Sequence, residues 1–252
     1  MVQLTELVNY TDSLLATERF QDYCPNGLQI EGRAEIHKLV CGVTACQALI
    51  DAAVAAKADA LLVHHGYFWK GEAAPISGIK MRRIKTLLEA GISLLAWHLP
   101  LDAHPQLGNN AQLGQRLGLL TEGRFPAQNE TAVGLWGRLA EPQAGEIFAD
   151  NIEAVLGRRP LHFAPNKRLI KTIAWCSGGA QGYIEAAADA GMDAYLSGEV
   201  SEQTFHLAQE RDIHFFAAGH HASERYGVQA LAKHLARKFN FESEFIDILN
   251  PV

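Results

Sequence analysis

The chain alternates unbroken apolar runs with stretches of helical period, and three of the apolar runs end in histidine. ALLVHHG at 60–66 is the clearest, closing on His64, His65 and Gly66. A strand buried on both faces of a parallel sheet reads as such a run, and polar residues at its carboxyl end are what it delivers to a site. GISLLAWHLPLD at 91–102 repeats the arrangement with His98, and Asp102 lies just beyond. IHFFAAGHHASE at 213–224 does so again with His220 and His221, and Glu224 follows one helical turn later. Between the runs, CQALIDAAVAAKA (46–58) and MRRIKTLLEAG (81–91) predict helices, the second stopped by Gly91. With LVCGVTA (39–45) as a further strand, this spacing calls for right-handed crossovers and a parallel sheet. An amphipathic helix on Leu4, Leu7, Val8, Leu14 and Leu15 opens the chain, and a Pro-Asn-Gly turn at 25–27 leads into a short strand, LQIEG.

Residues 118–129, GLLTEGRFPAQN, follow neither period and predict a linker. After it come a strand (TAVGLWGRLA), a helix (AGEIFADNIEAVLG) and a proline-flanked edge strand (RPLHFAP). Residues 171–199 then repeat the strand, turn, helix, strand order of 38–65. One indel sets Asp59-Ala60 on Asp193-Ala194 and His65 on Glu199, and ISLLAWH falls on IHFFAAG. Two related α/β halves are expected, 1–125 with about 220–252 and 126–219, with metal ligands drawn from both. The last helix, about 222–239, and the strand FESEFIDIL return to the first half.

Composition narrows the partners. Hydrophobic residues make up 48% and charged residues 20% of the chain, an ordinary globular balance. The net charge of -6 argues against a nucleic-acid binder that works by neutralising phosphates. No apolar stretch is long enough to span a bilayer, and the acidic N-terminal segment lacks the pattern of a signal peptide, so the cytoplasm is expected. Cys24, Cys41, Cys46 and Cys176 have no C-x-x-C spacing and read as buried thiols.

In an open α/β sheet, ligands gather outside the carboxyl ends of the strands. His64, His65, His98 and His220 all fall at such ends. Neighbours on a regular strand point to opposite faces, so His64 and His65 serve one site only where the strand is turning, or they serve two ions. That favours a dinuclear centre. His220 and Glu224, four apart, share a helix face, and Asp102 adds a second carboxylate. Imidazoles with carboxylates suit zinc, iron or manganese. For His98, His104 and His221, orienting a ligand, proton transfer and direct ligation all stay open. His37, His162, His206, His214 and His234 read as hydrogen-bonded core or surface residues. Glu199, superposed on His65 by the repeat, reads as a base facing the site or as a solvated strand-end residue. Ser177-Gly178-Gly179 reads as a tight turn, because a Walker lysine and a full G-x-G-x-x-G are missing. Tyr67, Phe68 and Trp69 wall a substrate pocket or pack in the core.

Together, PNGLQIEG, VTACQALIDAA, ALLVHHGYFWKG, WHLPLDAHPQLGNN, SGEVSEQTFH and GHHASER closely resemble the Nif-three-like family, the type-two GTP cyclohydrolase I homologues, in its short bacterial form. The resemblance runs from about residue 23 to the C-terminus. It implies two interlinked, topologically similar α/β domains with a dinuclear metal site in the cleft between them, and a homohexameric, toroidal assembly. Carried over by motif, the metal ligands are His64, His65, Asp102, His220 and Glu224, holding two divalent ions per subunit. The activity expected is metal-dependent hydrolysis of a small molecule, a nucleotide such as GTP being one candidate, with His98, Glu199 and His221 as catalytic residues. The alternatives are a metal-dependent phosphoesterase and a non-catalytic metal-binding ring with an interaction or stress-response role.

Overall fold

The computed structural model describes residues 1–126 and 130–252. The chain divides into two compact units, Met1–Leu101 with Gly227–Leu249, and Asp102–Tyr226 with Asn250–Val252. From the N-terminus run β1 (Val2–Gln3), α1 (Leu4–Leu15), β2 (Gly27–Ile30), β3 (Glu35–Ile36), β4 (Lys38–Thr44), α2 (Gln47–Ala55), β5 (Ala60–His65), α3 (Gly78–Ala90) and β6 (Ser93–Ala96). There follow α4 (Leu99–Ala103), α5 (Asn109–Arg116), β7 (Leu119–Phe125), β8 (Gly134–Gln143), α6 (Gly145–Leu156), β9 (Leu161–Phe163) and β10 (Ile170–Cys176). The chain ends with α7 (Ile184–Asp189), β11 (Ala194–Ser197), α8 (Glu202–Glu210), β12 (His214–Ala217), α9 (His220–Phe239) and β13 (Glu242–Phe245).

The first unit holds a five-stranded sheet in the order β13-β4-β5-β6-β2. Its β13–β4, β4–β5 and β5–β6 pairs are parallel, and β2 closes one edge antiparallel to β6. The C-terminal strand thus returns to this sheet, pairing with β4. β5 is central, so Ala60, Leu61, Leu62 and Val63 are all fully buried, which accounts for the unbroken apolar run. Leu49 and Ile50 from α2 and Leu87 from α3 pack with Leu61, Val63 and Leu94 in one core cluster.

The second unit holds a six-stranded sheet in the order β7-β8-β10-β11-β12-β9. β10, β11 and β12 are parallel, and the remaining pairs are antiparallel. β9 lies at one edge, where the prolines that flank it, Pro160 and Pro165, are tolerated. The linker expected at 118–129 is overturned over most of its length: residues 119–125 form β7, and 127–129 lie outside the described residues. β7 is the opposite edge strand, with Leu119 and Phe125 buried, residues 120–122 exposed, and a register shift between Thr121 and Gly123. An exposed edge carrying a bulge loses the period-2 alternation that sequence reading depends on. Because β7 pairs with β8, residues 102–125 pack in the second unit, whereas the sequence reading put them in the first half.

The repeat is visible in the hydrogen bonding. Asp59 Oδ2 accepts from the amides of His37 and Lys38 at 2.8 and 3.0 Å. Asp193 Oδ2 accepts from those of Lys171 and Thr172 at 3.0 and 2.9 Å. Downstream, Ser93 N donates to Asp59 O and His214 N to Asp193 O, each at 3.0 Å. In both units an aspartate before the second parallel strand clamps the start of the first.

Candidate metal centre

In the first unit the histidine pair stands at the end of β5. His64 is fully buried, and its Nδ1 lies 3.1 Å from the Trp97 carbonyl. A carbonyl only accepts, so Nδ1 carries the hydrogen and Nε2 the lone pair. His65 Nδ1 lies 3.2 Å from the Thr44 hydroxyl. The two ring centres are 4.6 Å apart, closer than opposite faces of a strand allow, because the chain turns at Gly66. Gln29 fixes that turn by accepting from Tyr67 N at 2.7 Å, and a side chain at Gly66 would collide with the same Gln29 oxygen.

His98 follows β6. Its Nδ1 is 2.7 Å from Asp22 Oδ1, and its backbone N–H donates to Asn26 Oδ1 at 2.8 Å. Asp22 also accepts from Tyr23 N at 2.6 Å, Asn26 Nδ2 at 2.9 Å and Leu99 N at 2.9 Å. Burial alone would raise its pKa, but the hydrogen bonds from His98 and Asn26 and the charge on His98 hold it down at about 2. One ligand atom from each of His64, His65 and His98 lies within 4.8 Å of the others. Trp69 stands edge-on to His98 at 5.0 Å. Tyr67 does not wall a pocket: its ring is buried and its hydroxyl donates to the Ala45 carbonyl at 2.7 Å. Asp22 and Asn26 escape sequence reading because they sit in an aperiodic loop.

In the second unit His220 and Glu224 share the first turn of α9, with Nε2 and Oε2 3.1 Å apart. His220 Nδ1 lies 2.7 Å from Glu199 Oε1, just past the end of β11. Burial alone would lower the His220 pKa. The hydrogen bond and charge of Glu224, and then those of Glu199, raise it to about 9. Asp102 is buried and accepts from Asn109 Nδ2 at 2.9 Å. The buried thiol of Cys176 is pushed up first by burial and then by the charges of Asp102 and Glu224, which places both acids near it.

Asn110, fully buried, ties this region together by accepting from Ser177 N at 2.8 Å and donating to the Val133 carbonyl at 3.0 Å. The Ser177–Gly179 turn runs directly beneath the acid. Gly178 has φ +66, and a Cβ there would collide with Glu224 Oε1 and lie 3.1 Å from His220 Nε2. Asn109, Asn110 and Gly178 had one sequence signal each, a paired Asn and a Gly-Gly, and neither revealed its role.

A family model described as Duf34/NIF3 (NGG1p interacting factor 3) matches residues 2–251. The chain belongs to the Duf34/NIF3 family. A Pseudomonas aeruginosa relative named "GTP cyclohydrolase 1 type 2 homolog" is 56% identical over 250 residues, covering 99% of each chain. Among solved structures, one described as protein ybgI, of unknown function, is 49% identical with a TM-score of 0.96 and full coverage of both chains. A Thermus thermophilus protein is 34% identical with a TM-score of 0.91, also over the whole of both chains.

The remaining candidates of this Duf34/NIF3 member fall as follows. His221 is mostly buried, with its backbone N–H on the Val252 carbonyl at 3.0 Å. His104 Nδ1 accepts from Gln106 N and Leu107 N at 3.2 and 3.0 Å, closing its own turn beside a cavity of about 800 Å³ that Asp102 and Arg124 also line. His162 and His214 bond to each other at 3.1 Å. Among the described residues no helix is long and apolar enough to cross a membrane.

The residues fit a divalent first-row ion. In the first unit His64 has Nδ1 against the Trp97 carbonyl, which presents Nε2 as the donor; in the second, His220 has Nδ1 against Glu199 and its other nitrogen against the Glu224 carboxylate. The missing Cβ at Gly178 keeps the space beside Glu224 open.

Proposed function

We propose that this Duf34/NIF3 member is a metal-dependent hydrolase in which His64, His65, Asp102, His220 and Glu224 together ligate two divalent ions of the zinc, iron or manganese class. The observation that carries the reading is the Glu199–His220–Glu224 chain, with 2.7 and 3.1 Å links: a carboxylate orients an imidazole whose other nitrogen meets a second, buried carboxylate. Such an arrangement fixes a metal-ligating histidine. Bound divalent ions supply Lewis acidity and lower the pKa of water to near 7, as order of magnitude. The chain's own residues then orient and shuttle. Glu199 acts through His220, and His98 or His221 moves protons. Trp69, edge-on to His98, offers a ring against which a planar base stacks.

The relatives' name supports a nucleotide substrate, with GTP the first to try. The same reading includes a cytoplasmic homohexamer, for which light scattering should return six times the 27.6 kDa chain mass. The test is a screen of metal-replete protein against GTP, other nucleotides and phosphoesters, with Glu224→Gln as control. Turnover of a substrate by the wild type and its loss in the variant are expected. Release of phosphate with the base intact would point to a phosphoesterase. Absence of turnover with two ions bound would leave a non-catalytic metal protein and refute the hydrolase.

A further inference from the structure

We infer that Asn109 sets the metal preference of this chain: by holding Oδ1 of Asp102 it leaves Oδ2 alone for an ion, and so favours a metal of low coordination number. This rests on Asp102 being a ligand, as proposed above, and not on hydrolysis.

Asp102 is buried, and the fully buried Asn109 donates from Nδ2 to its Oδ1 at 2.9 Å. A carboxylate only accepts, so it is the amide nitrogen that faces the acid. The donor is also immobile. Asn109 opens α5, and Asn110 beside it locks that end of the helix to β10 and to the start of β8. Asn110 Oδ1 accepts from Ser177 N at 2.8 Å, its carbonyl accepts from Trp175 Nε1 at 2.9 Å, and its Nδ2 donates to the Val133 carbonyl at 3.0 Å. One turn on, Gly114 lets the helix touch the same indole, since a Cβ there would lie 2.6 Å from Trp175 Cζ2. Asn109 therefore does not swing away with Asp102, and the acid meets an ion with Oδ1 already committed.

An aspartate with both oxygens free closes on an ion as a bidentate ligand. The added oxygen suits the octahedral, oxygen-rich sets of manganese, magnesium and calcium. One carboxylate oxygen alongside imidazole suits the four-coordinate set of zinc. Asparagine is the residue that makes this distinction at 109. Aspartate would repel Asp102, and leucine would leave both oxygens to the ion.

The test titrates the whole chain, freed of metal, and its Asn109→Leu variant with zinc and with manganese. Loss of the amide should weaken zinc binding about 10–100-fold and manganese binding by less, so that the preference for zinc narrows. Cobalt(II) bound to the variant should show weaker visible bands than in the wild type, the mark of a coordination number above four. Asn110→Ser, which loosens α5 without touching Asp102, should lower the melting temperature and weaken both ions alike. Equal weakening of the two ions in Asn109→Leu would make Asn109 merely structural, overturning the inference while the ligand set stands. If that variant does not fold, a crystal structure of the zinc-loaded wild type decides. Oδ2 alone on the ion is expected there, and two Asp102 oxygens on it would overturn the inference. Asp102→Asn is the control on the underlying reading: unchanged ion content in that variant would remove Asp102 from the ligand set and sink both.

Discussion

Glu199 was expected to act as a base, and it lies against His220 Nδ1 at 2.7 Å. The two roles separate in one variant. Glu199→Gln keeps a hydrogen-bond acceptor but removes the charge that makes the imidazole a stronger donor. If Glu199 acts through His220, the variant should bind metal about 10–100-fold more weakly, with turnover restored at saturating metal. If Glu199 moves protons, affinity should hold while kcat falls. Gly178 bears on the same pair. Gly178→Ala places a methyl group onto Glu224 Oε1 from a backbone at φ +66, a conformation that costs an L-residue about 1–3 kcal/mol. Lower thermal stability together with lost metal is expected, and unchanged metal content would show that Glu224 does not depend on this turn.

The strands explain what could be read and what could not. β5, β6 and β12 were legible because central parallel strands are apolar throughout, and their histidines announce the carboxyl ends. The aspartate clamps were legible only as a repeat: Asp59 and Asp193 align in sequence, and the structure gives them the same two amide partners. Asp59→Ala and Asp193→Ala should each lower stability by about 1–3 kcal/mol, since each strips charged acceptors from two backbone donors. Hydrogen exchange should report the loss at the start of β4 in one variant and of β10 in the other, and protection lost in neither would break the equivalence of the repeats. What stayed hidden depends on contacts between distant positions. Nothing local marks Asp22 as the partner of His98, 76 residues away, or Asn110 as the acceptor for Ser177 N, 67 residues away. β7 was hidden because an exposed, bulged edge has no pattern to read.

For the whole chain, two histidine groups bend stability in opposite directions with pH. His162 and His214, bonded to each other at 3.1 Å, are both lowered, chiefly by burial. Glu146 opposes this at His162 and Arg159 assists it; Arg168 assists at His214, where Asp193 and Asp212 oppose. The unfolded chain therefore binds more protons at these residues, and stability falls as pH drops through about 6.5. His220 has the opposite sign. Raised to about 9 in the metal-free chain, it contributes stability that is complete below about 6.5 and is lost as pH rises through about 9. The metal-free protein should thus be most stable near the point where the two effects cross. A bound ion needs the Nε2 lone pair and displaces that proton, so metal-loaded protein should lose the alkaline decline while keeping the acid one. Metal at about 100 times its Kd would add about 2.7 kcal/mol per site at neutral pH. Thermal unfolding across pH, with and without a chelator, measures both limbs. An alkaline decline of equal size in the two samples would mean that His220 keeps its proton when ions are bound, and would remove it from the ligand set.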